Sequence, residues 1–214
     1  MDQARFNDRI HWGMNIAARY IGASTDLYRP NGAMAPLNPV NRVLRLHAAF
    51  KPHRGAASRA NSFGEPMWYG IFDAAYTKAG DYLVTPDRIL FIASQQSNGE
   101  PLCVQTNRRV TLTRALPPGT IGTGSYSGVI RGNTNVLLAD WPASVLGVSS
   151  AGVPAAGLPT DISVSIWTIL MPAWPGIAIQ PTDFVIDDLG RGAVIMGTEL
   201  TELGWRLTAK QAST

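Results

Sequence analysis

Apolar and polar residues alternate along the C-terminal part of the chain, as they do in half-buried β-strands. Within residues 203–210, Trp205, Leu207 and Ala209 share one face, and polar residues occupy the other. This two-residue period is typical of a strand with one side on a core. The turn-forming segment 187–192 separates this region into short strands. The preceding apolar segments are residues 176–180, 183–186 and 193–196.

The middle of the chain, residues 66–116, has the same character. Short β-prone segments, several of them aromatic, recur there between turn signals. Such spacing favours a small barrel or a sandwich. The predicted strands are residues 67–73, 82–84, 88–93, 102–106 and 109–113. Two further strands are predicted earlier in the chain, at residues 24–30 and 41–50.

Only the N-terminus shows a helical period. Phe6, Ile10, Met14, Ala17 and Ile21 recur every three or four residues, which predicts an amphipathic helix over residues 3–21. A glycine follows directly, as is common at a helix C-terminus. The stripe fits a helix packed on its own domain, and equally one docked on a neighbouring subunit.

These patterns predict a mainly β protein with an N-terminal α-helix, small β-barrel or sandwich modules and long extended loops. We expect four segments, with residues 66–214 forming either one shared core or separate modules. The first is a helix plus extended arm, and the third is a connector rich in Gly, Pro and Ala whose apolar island, residues 136–142, is a strand or a short helix. The segments are residues 1–65, the β-module 66–116, the connector 117–160 and the C-terminal β-module 161–214.

The composition favours a protein with covered surfaces. Charged residues make up 15% of the chain and hydrophobic residues 45%, against about 25% charged in ordinary soluble domains. A surface so poor in charge associates readily with others. Neighbouring subunits that cover much of it are the simplest explanation.

Basic residues are concentrated near the N-terminus and are mostly arginine. Arginine pairs bidentately with carboxylates and phosphates. The candidates for contact with DNA or with another subunit are Arg42, Arg45, Arg54 and Arg59. The alternative is an Arg-rich genome with ordinary solvated side chains. No dense basic segment or aromatic RNA-binding motif strengthens the nucleic-acid interpretation.

Signals of catalysis are weak. The glycine-rich segment 122–128 lacks the spacing of a nucleophile elbow or a dinucleotide loop. The three histidines are scattered, Cys103 has no cysteine partner, and the adjacent Asp187 and Asp188 fit a turn. We therefore expect no enzymatic activity, no catalytic residues, no cofactor and no metal. With neither an apolar leader nor a membrane-spanning segment, the chain is expected to fold in a reducing cytoplasm.

Several segments resemble small structural proteins of tailed bacteriophages, of the neck (head-to-tail connector, head-closure or gateway) family and its prophage relatives. The resemblance covers about two-thirds of the chain and consists of strand and turn patterns. It rests on residues 20–30, on Gly80-Asp81-Tyr82-Leu83 with residues 90–96, on residues 101–108, on residues 181–191 and on residues 199–207.

This resemblance implies a structural virion subunit, made in the host cytoplasm, that forms a six- or twelvefold ring in the neck. The ring would join the DNA-filled head to the tail and contact itself and adjacent portal, adaptor or tail proteins. Contact with the packaged DNA would be non-specific, and no membrane would be involved. A baseplate or tail-hub subunit is the alternative. A carbohydrate-binding β-module is a further one, with tryptophans that stack on sugars.

Overall fold

A computed structural model describes residues 2–53, 65–96, 99–116, 134–148 and 165–211. Within these residues the chain forms a helix followed by twelve strands, which confirms the predicted mainly β fold with an N-terminal helix. The elements are α1 (Gln3–Ile21), β1 (Ala23–Tyr28), β2 (Arg42–Pro52), β3 (Met67–Ile71), β4 (Tyr82–Val84), β5 (Ile89–Ser94), β6 (Leu102–Thr106), β7 (Arg108–Ala115), β8 (Thr134–Val148), β9 (Ile166–Met171), β10 (Phe184–Asp187), β11 (Gly192–Thr201) and β12 (Gly204–Gln211).

The strands close into two six-stranded antiparallel barrels. The first barrel has the order β1-β2-β3-β6-β5-β4, and the second has the order β7-β8-β9-β12-β11-β10. Closure pairs every strand on both sides, which removes the free sheet edges that otherwise invite aggregation. The predicted small β-barrel modules are thus present.

The strands divide the chain differently from the expected segments. β1 and β2, predicted as strands within the first segment, belong to the first barrel. β7 belongs to the second barrel, and β8 lies within the expected connector. Residues 176–180, expected as a strand, form none, and the Gln180 amide donates to the Asp183 carboxylate.

Helix α1 packs against β2, β3 and the 3-10 turn at Ala74–Tyr76. Ala18 is fully buried, and the Gly22 amide donates to its carbonyl over 2.8 Å. A side chain at Gly22 would meet the Ala48 carbonyl oxygen at 2.6 Å, so glycine permits this close approach to β2. Phe6, placed on the buried stripe by its spacing, is 43% exposed.

The two barrels are in apolar contact. The first barrel has its own interior cluster, which includes Leu27, Leu83 and Leu90. The outward residues of β4, β5 and β6 instead join the core cluster of the second barrel. They are Tyr82, Phe91, Ala93 and Val104. The middle of the loop after β1 also lies against the second barrel, where the Ala35 amide donates to the Ala139 carbonyl. The loop thus contacts its own chain.

Tyr82 lies at the centre of this junction. Its hydroxyl donates to the Pro142 carbonyl over 2.9 Å, and its ring meets that of Trp141 edge to face at 6.2 Å. Burial raises the pKa of Tyr82 well above its ordinary value, so the hydroxyl keeps its proton at neutral pH. The bond therefore joins the two barrels through a buried donor.

Tyr82→Phe should lower the free energy of unfolding by about 1–2 kcal/mol, because the buried Pro142 carbonyl loses its donor while the ring packing remains. Urea denaturation followed by circular dichroism measures the change. Tyr76→Phe, at a tyrosine that is 61% exposed, is the control and should be neutral. Equal behaviour of the two variants would contradict the bridging role.

The second barrel repeats the first, strand for strand. Reading β1 to β6 as β7 to β12 converts one strand order into the other. The register agrees as well, since Tyr28 pairs with Tyr82 as Thr113 pairs with Phe184. Each barrel also has a register shift at the corresponding place, between Ile92 and Ser94 on β5 and between Ile195 and Gly197 on β11.

Candidate functional site

Of the four arginines singled out from the sequence, the structure describes two, and these two lie together. Arg42 and Arg45 lie on β2, where both pair with Asp26 at 2.9 and 2.7 Å. Arg54 and Arg59 lie outside the described residues. Two exposed cations share one carboxylate, so this surface of the first barrel retains a net positive charge.

The neighbouring arginines lower the pKa of the Asp26 carboxyl. The hydrogen bond from Arg45 is the main reason that the pKa of Asp26 falls below its ordinary value, and partial burial opposes it. Asp26 thus stays ionised near neutral pH and holds the two guanidinium groups on the outer surface. An exposed pair of this kind adds little stability, and its arginines can exchange the carboxylate for a phosphate or for a carboxylate on another subunit.

A second basic surface lies at the cleft where the barrels are joined. The cleft has a volume of about 420 Å³, and residues 84–89 and 106–109 with Asp188 line it. Arg88 and Arg109 are paired there with Asp87 and Asp140. Most of the charge in this cleft is therefore compensated within the chain.

Two buried aspartates, which the sequence analysis did not single out, each hold an arginine. In the first barrel, Nε and Nη2 of Arg29 donate to the two Asp81 carboxylate oxygens over 2.9 and 2.7 Å. Nη2 also donates to the Tyr76 carbonyl, and the Lys78 amide donates to Asp81. Asp81 is 2% exposed. This arrangement, here called an Arg–Asp clasp, ties the end of β1 to the start of β4.

The second barrel has the same clasp. Nε and Nη2 of Arg114 donate to the Asp183 carboxylate over 2.7 and 2.8 Å. Nη2 also donates to the Ala178 carbonyl, and the Gln180 amide donates to Asp183, which is 1% exposed. Each accepting group stands at the same distance along the chain from its aspartate as in the first barrel. The clasps therefore serve the fold of each barrel.

The adjacent carboxylates at 187 and 188 occupy a turn, as expected. The Asp187 side chain is fully buried and accepts from the amides of Leu189 and Arg191 and from the Arg191 guanidinium. Burial opposes ionisation, but the Arg191 hydrogen bonds and charge outweigh it and hold the pKa of Asp187 below 3.8. Arg191 also lies over the Trp167 ring at 5.0 Å, as Arg88 does over Trp68 at 5.1 Å.

Asp187→Asn should cost about 2 kcal/mol of unfolding free energy at pH 7, since bonds to a charged acceptor are lost. The pKa of Asp187 is lower in the folded state than in the unfolded chain. The wild-type advantage is therefore fully present above pH 3.8, and it is lost as the pH falls through the lowered folded-state pKa. Urea titrations at several pH values measure the difference. The matched control is Asp188→Asn, at the exposed neighbouring residue. A wild-type advantage that persists unchanged at low pH would contradict the role assigned to Asp187.

Other candidate chemistry is sparse in the part of the chain that the structure describes. No group of three His, Cys, Asp or Glu side chains there has the arrangement of a metal site. Cys103 is buried, and burial raises its thiol pKa far above the ordinary value. Among the described helices none is both long and apolar enough to cross a membrane.

Known proteins give no further assignment. The chain matches no family model, no curated protein and no solved structure.

Proposed function

We propose that this protein is a structural virion subunit of a tailed bacteriophage, which forms a ring in the neck between the DNA-filled head and the tail. The proposal combines the resemblance of its strand and turn segments with the surface of the folded chain. Two closed barrels supply a rigid body, and the exposed apolar residues supply contacts for assembly.

The observation that carries the proposal is the outer side of α1. Trp12, Ile16 and Tyr20 follow one another at four-residue spacing and are 66%, 36% and 86% exposed. Residues four apart lie on the same side of a helix. Since the opposite side of α1 already packs on the first barrel, this apolar stripe is free for a neighbouring subunit. Contiguous exposed apolar surface of this kind marks protein interfaces.

The arginines of β2 support the same function. Arg42 and Arg45 are 40% and 60% exposed and share one carboxylate. On a ring through which DNA passes, such side chains contact phosphates without reading sequence. We propose non-specific contact with packaged DNA as their role, and contact with an adjacent neck protein as the alternative.

Of the two competing functions, the carbohydrate-binding module fits less well. A carbohydrate-binding module stacks sugars on exposed aromatic rings, but Trp141, Trp167 and Trp205 are 0%, 3% and 8% exposed. A baseplate or tail-hub subunit would have the same barrels and the same exposed helix. It differs from a neck subunit only by its place in the particle.

Gold-labelled antibody on purified particles tests the placement. We expect label where the head meets the tail in electron micrographs. Label at the far end of the tail would overturn the neck assignment in favour of the baseplate, and unlabelled particles would overturn both.

A further inference from the structure

We propose that the outer surface of β10 and β11 binds the first barrel of a second copy of this chain, through its strand β2. The surface, here called the β10–β11 face, consists of Phe184, Ile186, Val194 and Met196. The inference rests on the proposed ring and assigns one of its subunit contacts. Its basis is the repeat, because the equivalent surface of the first barrel is already covered within the chain.

The residues of the two surfaces correspond through their register. Tyr82 pairs with Phe91 across β4 and β5, as Phe184 pairs with Val194 across β10 and β11. The shared register shift on β5 and β11 brings Met196 to the position that Ala93 has in the first barrel. Phe184, Val194 and Met196 thus have apolar counterparts in Tyr82, Phe91 and Ala93.

The two surfaces differ in how much of them is exposed to solvent. Tyr82, Phe91 and Ala93 are 0%, 1% and 3% exposed, because the second barrel covers them. Met196 and Ile186 are 59% and 45% exposed. Phe184 and Val194 between them are half-buried. Adjacent large apolar side chains on the outside of a barrel favour contact with another protein.

The same repeat indicates which strand of a second copy covers the β10–β11 face. Within the chain, Tyr82 meets Trp141 and Pro142 of β8. β2 is the counterpart of β8 in the first barrel, and the register brings Leu46 and His47 to the positions of Trp141 and Pro142.

The outer side of β2 is open to such a contact. Val43 is 47% exposed and His47 is exposed, with Arg45 between them. In this contact Arg45 would meet a subunit rather than DNA. A second copy therefore offers Val43 and His47 to the β10–β11 face, whereas Leu46 packs on the interior of its own barrel.

A contact between two different surfaces of identical chains is head-to-tail and continues from copy to copy. When it closes, first and second barrels alternate around the ring, which then contains twice as many barrels as chains. Contacts within a chain and between chains would be nearly equivalent. Neighbouring barrels would then pack in the same way all around the ring, whether they belong to one chain or to two.

Cysteine crosslinking tests the contact directly. Phe184→Cys and His47→Cys place thiols at the counterparts of Tyr82 and Pro142, and the native Cys103 is fully buried. With a short bismaleimide, the double variant should give a ladder of covalent oligomers. An equimolar mixture of the two single variants should stop at dimers, and each single variant alone should remain uncrosslinked. Absence of the ladder, or equal crosslinking of one single variant alone, would overturn the proposal.

A charge placed on the face gives an independent readout. Met196→Glu should weaken self-association at least about tenfold in sedimentation velocity, since it places a carboxylate in an apolar contact. Tyr76→Glu, at a residue 61% exposed and outside the face, is the matched control and should associate as the wild type does. Wild-type protein that stays monomeric, or equal association of both variants, would overturn the contact. Gold label at the neck without these effects would leave the function standing and this surface wrong.

Discussion

Asp183→Ala is expected to lower the free energy of unfolding by about 3 kcal/mol, in the range found when one partner of a buried ion pair is removed. The substitution deprives the Arg114 guanidinium of its two carboxylate contacts and the Gln180 amide of its acceptor. It also unties the start of β10 from the end of β7, the strands whose pairing closes the second barrel. Urea denaturation followed by circular dichroism measures the loss.

The control is an ion pair of similar length on the surface. Glu199 accepts from Arg206 at 2.9 Å, but both side chains are more than half exposed, so Glu199→Ala should cost less than about 1 kcal/mol. Asp81→Ala should resemble Asp183→Ala, since Asp81 forms the equivalent clasp. A loss at Asp183 no greater than at Glu199 would contradict the structural role of the clasp.

Trp141→Ala should destabilise the protein by about 4 kcal/mol, as large aromatic truncations in cores do. Trp141 is fully buried, lies 5.9 Å from the Trp174 ring and donates its indole N–H to the Ala33 carbonyl. Its loss leaves a cavity between the barrels and removes the ring against which Tyr82 packs. The same urea titration measures the effect.

Trp12→Ala provides the comparison, because Trp12 is 66% exposed on α1. Its free energy of unfolding should stay within about 0.5 kcal/mol of the wild type. If both tryptophan variants unfold alike, the junction between the barrels does not contribute as described. A large effect at Trp12 alone would contradict the free outer stripe of α1.

The strands were predictable from the sequence because their signals are local. The alternation of Trp205, Leu207 and Ala209 places three buried residues on one face of β12, as the pattern indicates. The helix was equally predictable, but the side it buries was only partly so. Ala18, outside the predicted stripe, is buried, whereas Phe6 and Ile21 are exposed, because contact with β2 and β3 decides which side faces inward.

The closure of the barrels and their repetition depend on long-range pairing and were not predicted. β1 closes its barrel against β4, a contact that no local pattern contains. A signal of the repeat was nevertheless present, since Asp81-Tyr82-Leu83-Val84 and Asp183-Phe184-Val185-Ile186 match in residue type. An arginine also lies a few residues after each segment, at Arg88 and Arg191. The partner of each aspartate could not be read, because Arg29 and Arg114 lie far away along the chain.

The candidate site was the least predictable part. Arg42 and Arg45 were chosen for their charge, and the structure gives them a common partner in Asp26 across the β1–β2 pair. The exposed face of β10 and β11 carried no sequence signal of binding, because its residues are ordinary strand residues. Only comparison with the buried counterpart in the first barrel distinguishes it.

Quantitative mass spectrometry of gradient-purified particles, scored against the major capsid protein, tests the central claim most directly. The proposed function predicts a small fixed copy number, equal to that of a single ring and unchanged between preparations. Absence of the chain from the particles, or a copy number that varies with purity, would contradict a place in the virion.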